Sequence, residues 1–265
     1  MNTTVNHYKS ISEFYKYICD TPFNEAFRWA RHSSVENDYW FSHTHSFDEA
    51  VDLLKNGWDD MAQKLTQKLN VQASPEVQRQ MQTIIGVAGF QPIVPLYLAG
   101  VPTNMVSRQF RPVKQKVVNI TKLFNYSAGV ETDEIIEQSI MTMRIVKKLE
   151  AQGLRVNLSI ALGTTAGNDE IVGKIQIKGA NEKLNVSKLA FPMVHPSMLR
   201  RLYFRYIEVE PHVTNRFVGG FVGGYGRPIS YERMQKLLPN EVVLPSQFQC
   251  NPDDINTLEQ LKASF

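Results

Sequence analysis

Residues 116–162 read KVVNITKLFNYSAGVETDEIIEQSIMTMRIVKKLEAQGLRVNLSIAL, and this stretch decides the fold class. Its opening, VVNITKL, is rich in β-branched residues and reads as a strand. After the polar loop FNYSAGVE, a helix is expected from Thr132 to Gln152. Asp133 and Glu134 occupy its first turn, where carboxylates oppose the helix dipole favourably. Ile135, Ile136, Ile140, Met143, Val146 and Leu149 recur at helical spacing, Lys147 and Lys148 lie near the end, and Gly153 stops it. Leu154, Val156, Leu158, Ile160 and Leu162 then alternate with Arg155, Asn157, Ser159 and Ala161, the period of a strand with one buried face. A strand–helix–strand unit of this length closes as a right-handed crossover, so the helix should pack on its own two strands.

Downstream, a turn at Gly167-Asn168-Asp169 leads into IVGKIQIK, which pairs with the preceding strand as a hairpin. A helical stretch runs from Pro196 to Glu208, Glu241–Leu244 is a short strand, and Asp253-Asp254 open a last helix. Strands alternating with helices predict an α/β domain over 113–265, a mostly parallel sheet with helices on both faces. Residues 1–112 read as a helical, aromatic-rich region. It has helices at Ile11–Cys19, Pro22–Arg31, after the Ser46/Glu49 capping box, at Trp58–Leu69 and from Ser74-Pro75-Glu76. Between Gly86 and Pro112, glycines and prolines crowd among apolar residues, a composition hostile to long helices and central strands. It reads as a buried, irregular connector between two regions that either fold separately or share one core.

The 265 residues are 43% hydrophobic and 21% charged, which excludes disordered, collagen-like and membrane-spanning classes. A net charge of +3 falls short of a dedicated nucleic-acid binder. Cys19 and Cys250 form neither a disulfide framework nor a zinc pattern. With no signal peptide and no spanning apolar run, a soluble cytoplasmic protein is expected.

The order of elements across 116–162, above all the phrase LEAQGLRVNL opening the second strand, resembles the von Willebrand factor A fold, which is of Rossmann-like α/β type. The phrase WFSHTHSFDEAVDLLKNGW at residues 40–58 is similar to an uncharacterised family carried by bacteriophages and mobile elements. The first resemblance implies a metal-binding loop after the first strand, built on an Asp and two Ser. Residues 119–130 contain Ser127 and no Asp, so the fold is expected without that metal and without a cofactor.

Candidate sites follow from residue chemistry. His43 and His45, with His32 and Asp48 near in sequence, form a conceivable metal site for a hydrolase, or a surface pair. The run Gly219–Arg227 suits an anion by its bare amides, yet lacks the Lys of a phosphate loop; a close-packed loop anchored by Tyr225 is the plainer reading. Arg108 and Arg111 form one basic cluster with Lys114 and Lys116; Arg200, Arg201 and Arg205 form another, interleaved with Tyr203, Phe204 and Tyr206. Together with Tyr225 and Arg227 they could make a groove for a single-stranded nucleic acid or a protein partner. At helical spacing, however, Leu199, Leu202, Tyr203 and Tyr206 face inward and leave Arg201 and Arg205 outward in solvent. No nucleophile-and-base motif appears. The expectation is a non-enzymatic, phage-encoded protein that binds a protein partner, with single-stranded nucleic acid as the alternative and self-association open.

Overall fold

The computed structural model describes residues 2–28, 30, 32–69, 79–112, 115–126, 129–218, 225–249 and 258–263. The chain begins with β1 (Asn2–Tyr8), followed by α1 (Ile11–Asp20), a 3-10 turn at Glu25–Phe27, α2 (Ser33–Glu36), α3 (Tyr39–Ser42), α4 (Phe47–Asn56) and α5 (Asp59–Leu69). Next come β2 (Arg79–Gly86), β3 (Gln91–Pro92), α6 (Val94–Leu98) and β4 (Met105–Pro112). The deciding stretch is β5 (Val117–Leu123), α7 (Thr132–Ala151) and β6 (Arg155–Ala166), followed by β7 (Asp169–Lys178) and α8 (Val186–Val194). A π-helical turn at Met198–Tyr203 runs into α9 (Phe204–Val209), and β8 (Arg227–Pro228), α10 (Tyr231–Leu237), β9 (Val242–Leu244) and α11 (Leu258–Ala263) complete the chain.

The main sheet has the order β1-β7-β6-β5-β9, with β8 beside β6. β5 runs parallel to β6, with Ile120 opposite Leu158, and parallel to β9 on its other side. β6 and β7 form the expected antiparallel hairpin. The fold is therefore a mixed α/β structure with a mostly parallel central sheet. The N-terminal region departs from expectation by starting with a strand: Asn2–Tyr8 lies parallel to Asp169–Ile175 at the sheet edge. Nothing local marks it, because its partner lies far along the chain. Among the described residues of 22–31, where a helix is expected, there is a single 3-10 turn, Glu25–Phe27, capped by Asn24, whose Nδ2 donates to the carbonyl of Glu210 at 2.7 Å.

Alternating β5 residues serve two cores. Val118 and Ile120 join a large one with Phe14, Leu65, Met143 and Tyr206, while Leu123 joins a smaller one with Val172, Ile229 and Met234 from the side of α10. Ile140, Met143 and Val146 of α7 are buried as the periodicity predicts. Residues of 2–69 thus pack into the same core as residues of 117–263.

Contacts divide the chain into two compact units, 1–74 with 117–265, and 75–116. The second is a three-stranded antiparallel sheet in the order β2-β4-β3 with α6. It is not the buried connector expected: none of its described side chains is buried. Among the described residues no helix is long and apolar enough to cross a membrane. The expected helix starts at Ser74-Pro75-Glu76 and Asp253-Asp254, and Lys114, Ser127 and Cys250, lie outside the described residues.

Candidate functional site

The site grows from one helix that both sides of the molecule bury. Towards the sheet, Tyr203 and Tyr206 donate their hydroxyls to the carbonyls of Ile171 and Val172 at 3.1 and 3.2 Å. Their rings fit because β7 has Gly173 there, where a Cβ would come within 3.1 Å of the Tyr206 ring. The opposite face, expected in solvent, is covered by residues 23–47. Arg201 is fully buried, Arg200 is buried and Arg205 is half-buried. A tertiary contact thus overrides the amphipathic pattern that placed Arg201 and Arg205 outward.

Arg201 spends all of its N–H groups on this covering segment. Nε donates to Thr44 Oγ1 at 2.7 Å, one terminal nitrogen to the carbonyls of Ser34 and Val35, and the other to those of Asn37 and Thr44. Burial pulls its pKa below the usual guanidinium value, while Glu49 and Asp38 oppose the shift. Seven positions on, the buried Glu208 accepts the Ser34 N–H at 2.9 Å, the Ser34 hydroxyl, and the Tyr225 hydroxyl at 2.5 Å. Tyr225 accepts the Ser33 N–H in turn at 2.8 Å. Ser34 is therefore clamped from both ends of its polarity: the guanidinium takes its carbonyl and the carboxylate takes its N–H and hydroxyl. Charged hydrogen bonds of this kind are about twice as strong as neutral ones, so the loop is held far more rigidly than its two four-residue helices could manage alone.

What this clamp presents outward is aromatic. Trp40 is 84% exposed and Tyr39 55%. His45 and His43 stack beside Tyr39, with ring centroids 4.5 and 6.3 Å away. His43 has φ +62°, among the described residues the one side-chain-bearing position in the left-handed region. Such backbone costs of order 1 kcal/mol or more and persists where the surroundings enforce it. Beneath the platform, the Arg200 guanidinium lies 4.4 Å from the Phe41 ring centroid and donates to the Phe41 carbonyl at 2.6 Å. From Ser33 to Leu54 the chain carries Glu36, Asp38, Asp48, Glu49 and Asp52 and no Lys or Arg.

The structure thus gathers Arg200, Arg201, Arg205 and Tyr225 around one segment, as its support. Arg205 is sandwiched between the Phe23 and Phe47 rings at 4.1 and 4.5 Å. Arg227 is exposed on β8. Arg108 lies in the second unit over the Phe90 ring at 5.3 Å, and the Arg111 side chain lies outside the described ones, as do the glycines at 219–224. His43 and His45 do not join His32 and Asp48 in a ligand set; among the described residues no group of three or more His, Cys, Asp or Glu converges. Reasoning from sequence missed Glu208, Ser34, Thr44 and the Tyr39-Trp40 pair. A carboxylate seven residues after an Arg on a helix with a continuous apolar stripe, and the run of three aromatics Tyr39-Trp40-Phe41 beside Asp38, are the available signals.

A family model described as a domain of unknown function, DUF7192, matches residues 1–264. The chain belongs to the DUF7192 family. No match was found among curated proteins or solved structures. Two further features of this DUF7192 chain lie on the main sheet. At the carboxyl end of β5, where open α/β sheets commonly hold ligands, Lys122 is buried and donates to the carbonyls of Pro245 and Ser246; burial drives its pKa well below the usual lysine value. By β1, a cavity of about 360 Å³ is lined by Asn2, Thr3, Thr4, Asp169, Glu170, Ile171 and His212. Its carboxylates are engaged internally, Glu170 by Arg233 and Thr3, Asp169 by Asn2 and Thr214.

Proposed function

We propose that this protein is a binding module whose Tyr39–His45 platform docks a partner protein presenting a basic segment. The observation that carries this reading is a solvent-facing Tyr-Trp pair on a loop immobilised by a buried Arg and a buried Glu. Exposed Trp and Tyr are the residues that dominate protein–protein binding energy, and a pre-ordered loop avoids the entropy that docking otherwise costs. The acidic residues around the platform select cationic partners: Lys or Arg side chains gain both ion pairing and a face of Trp40. The five carboxylates of this segment outnumber the three arginines packed beneath it, which favours protein over the phosphates of a single-stranded nucleic acid. A von Willebrand A-like core and a mobile-element origin belong to this proposal, supported by the β5-α7-β6 unit and by the phrase at 40–58.

The test is site-specific photo-crosslinking in the producing cell, with a photoreactive phenylalanine at Trp40 and, as control, at the exposed Lys236 of α10. Proteins captured at position 40 alone, and lost on Tyr39→Ala, are expected. With the purified partner, Trp40→Ala should weaken binding by roughly 30-fold. Equal capture at both positions, or capture of nucleic acid, would refute the reading.

A further inference from the structure

We propose that residues 79–112 form a self-association arm, in which β2 pairs antiparallel with β2 of a second copy across a two-fold axis at Thr83. The arm is unlike most small domains, which gain stability by packing an apolar face against a helix or a further layer. Here none of the described side chains of the unit is buried. Val87, Phe90, Val94, Tyr97 and Leu98 all stand exposed. With Met81 and Ile85 they make a set of exposed large apolar side chains of the kind that marks interaction surfaces.

The edge itself argues for protein as the cover. β2 has β4 on one side and, in the order β2-β4-β3, no strand on the other among the described residues. Native edge strands are blunted by charge, proline, bulges or brevity. β2 spans Arg79–Gly86 with a regular register against β4, carries no proline, and has no charged residue after Arg79. Its outward main-chain donors and acceptors face solvent, where a further extended chain can replace water as their partner.

Charge and register point to a second copy as that chain. From Gln80 to Ser107 the sequence contains no Asp, Glu, Lys, Arg or His, so the β2 edge beyond Arg79 carries no charge of its own with which to choose a partner; Arg108, opposite Thr83 on β4, lies over the Phe90 ring. The edge is complementary to itself. With the two-fold axis at Thr83, Met81 falls opposite Ile85 of the second copy, and Ile85 opposite its Met81. These residues are 50% and 53% exposed. Thr83 meets Thr83, a favourable cross-strand pair. The two Arg79 positions fall at opposite ends of the pairing, so they do not repel; a parallel arrangement would set them side by side. Shifting the register by one residue places Met81 opposite Ile84 and Ile85 opposite Gln80, losing the apolar match for Ile85. A closed, isologous contact of this kind ends at two chains.

The full chain should sediment as a dimer, twice its 30.3 kDa, in analytical ultracentrifugation at micromolar concentration. Because the positions are exposed, Met81→Lys/Ile85→Lys should fold with unchanged circular dichroism and sediment as a monomer, and Met81→Glu/Ile85→Glu likewise. Mixing the two variants should restore a one-to-one dimer, since the register sets each Lys against a Glu. Thr83→Cys should give a disulfide-linked dimer on oxidation, opposite Cα atoms in such a pair being about 4.5 to 5.5 Å apart. Thr103→Cys, off the edge, should crosslink no more than the unaltered chain. A monomer at all concentrations, including one that instead sediments with phosphatidylserine vesicles, would overturn the proposal. So would a dimer that survives the paired lysines, or a mixture that stays monomeric.

Discussion

Arg201 brings its charge into the interior with no carboxylate against it among the described residues; neutral carbonyl oxygens and the Thr44 hydroxyl take its protons. A fork of fixed N–H vectors suits that arrangement, and a lysine, with three donors on one atom, would leave carbonyls unpaired. Arg201→Lys should therefore lower stability by roughly 2 to 4 kcal/mol in urea melts. Arg227→Ala, on the surface, should change it by less than about 0.5 kcal/mol. His195 gives a pH prediction. It is buried against Trp58 and Phe191, and burial holds its pKa down to about 3 against 6.5 for a free imidazole. Below about pH 6.5 the unfolded chain binds a proton that the folded chain refuses. Stability from this group is thus complete above that pH and falls by about 1.4 kcal/mol per unit as pH drops towards 3. His195→Gln should flatten the urea midpoint between pH 6 and pH 4 relative to the unaltered chain; parallel curves would show that another group sets the slope.

Among the elements, α7 carries the most direct stability test. Its stripe of Ile135, Ile140, Met143 and Val146 is buried, and Lys147 is only half-buried. Ile140→Ala should cost roughly 2 to 5 kcal/mol through lost burial and the cavity left behind. Lys147→Ala should cost less than about 0.5 kcal/mol. Equal small effects in denaturant melts would mean that α7 is not part of the core. The π turn at Met198–Tyr203 is the other informative element. Such turns are frequent at functional sites, and here consecutive residues Arg200 and Arg201 both reach the segment under the platform, at Phe41 and at Ser34 to Thr44.

At the scale of the whole molecule, the core joins the two ends of the chain across the excursion at 75–116. β1 closes the edge beside β7, and Asn6 donates to the Glu210 carboxylate at 2.6 Å. Residues 113–265 expressed alone would lack Phe14, Ile18, Phe27, Leu54 and Leu65 from the large core. That fragment should be aggregated or molten, with no cooperative thermal transition. Replacing 79–112 by a Gly-Ser linker should instead preserve one cooperative transition, because the excised unit buries none of its own described side chains. Calorimetry of both proteins checks the pair.

The β5-α7-β6 unit was legible in the residues because its signals are local: β-branched runs, an acidic first turn, helical periodicity and a stopping glycine lie within 116–162. The capping box before α4 was legible for the same reason, Ser46 accepting the Glu49 N–H at 3.0 Å. The sequence marks Arg200, Arg201, Arg205 and Tyr225 as chemically notable residues, but their burial against one segment is not readable from it. Amphipathic periodicity tells which side of a helix is apolar, and it cannot tell that a distant segment such as 23–47 will lie across the polar side. β1 escaped notice because a strand is defined by its partner, here near residue 170. The exposure of Phe90, Tyr97 and Leu98 was hidden similarly: an apolar run looks the same in sequence whether the chain folds over it or leaves it for another molecule. Local propensity and pattern determined the elements; long-range packing alone decided which charges went inside and which apolar surfaces stayed out.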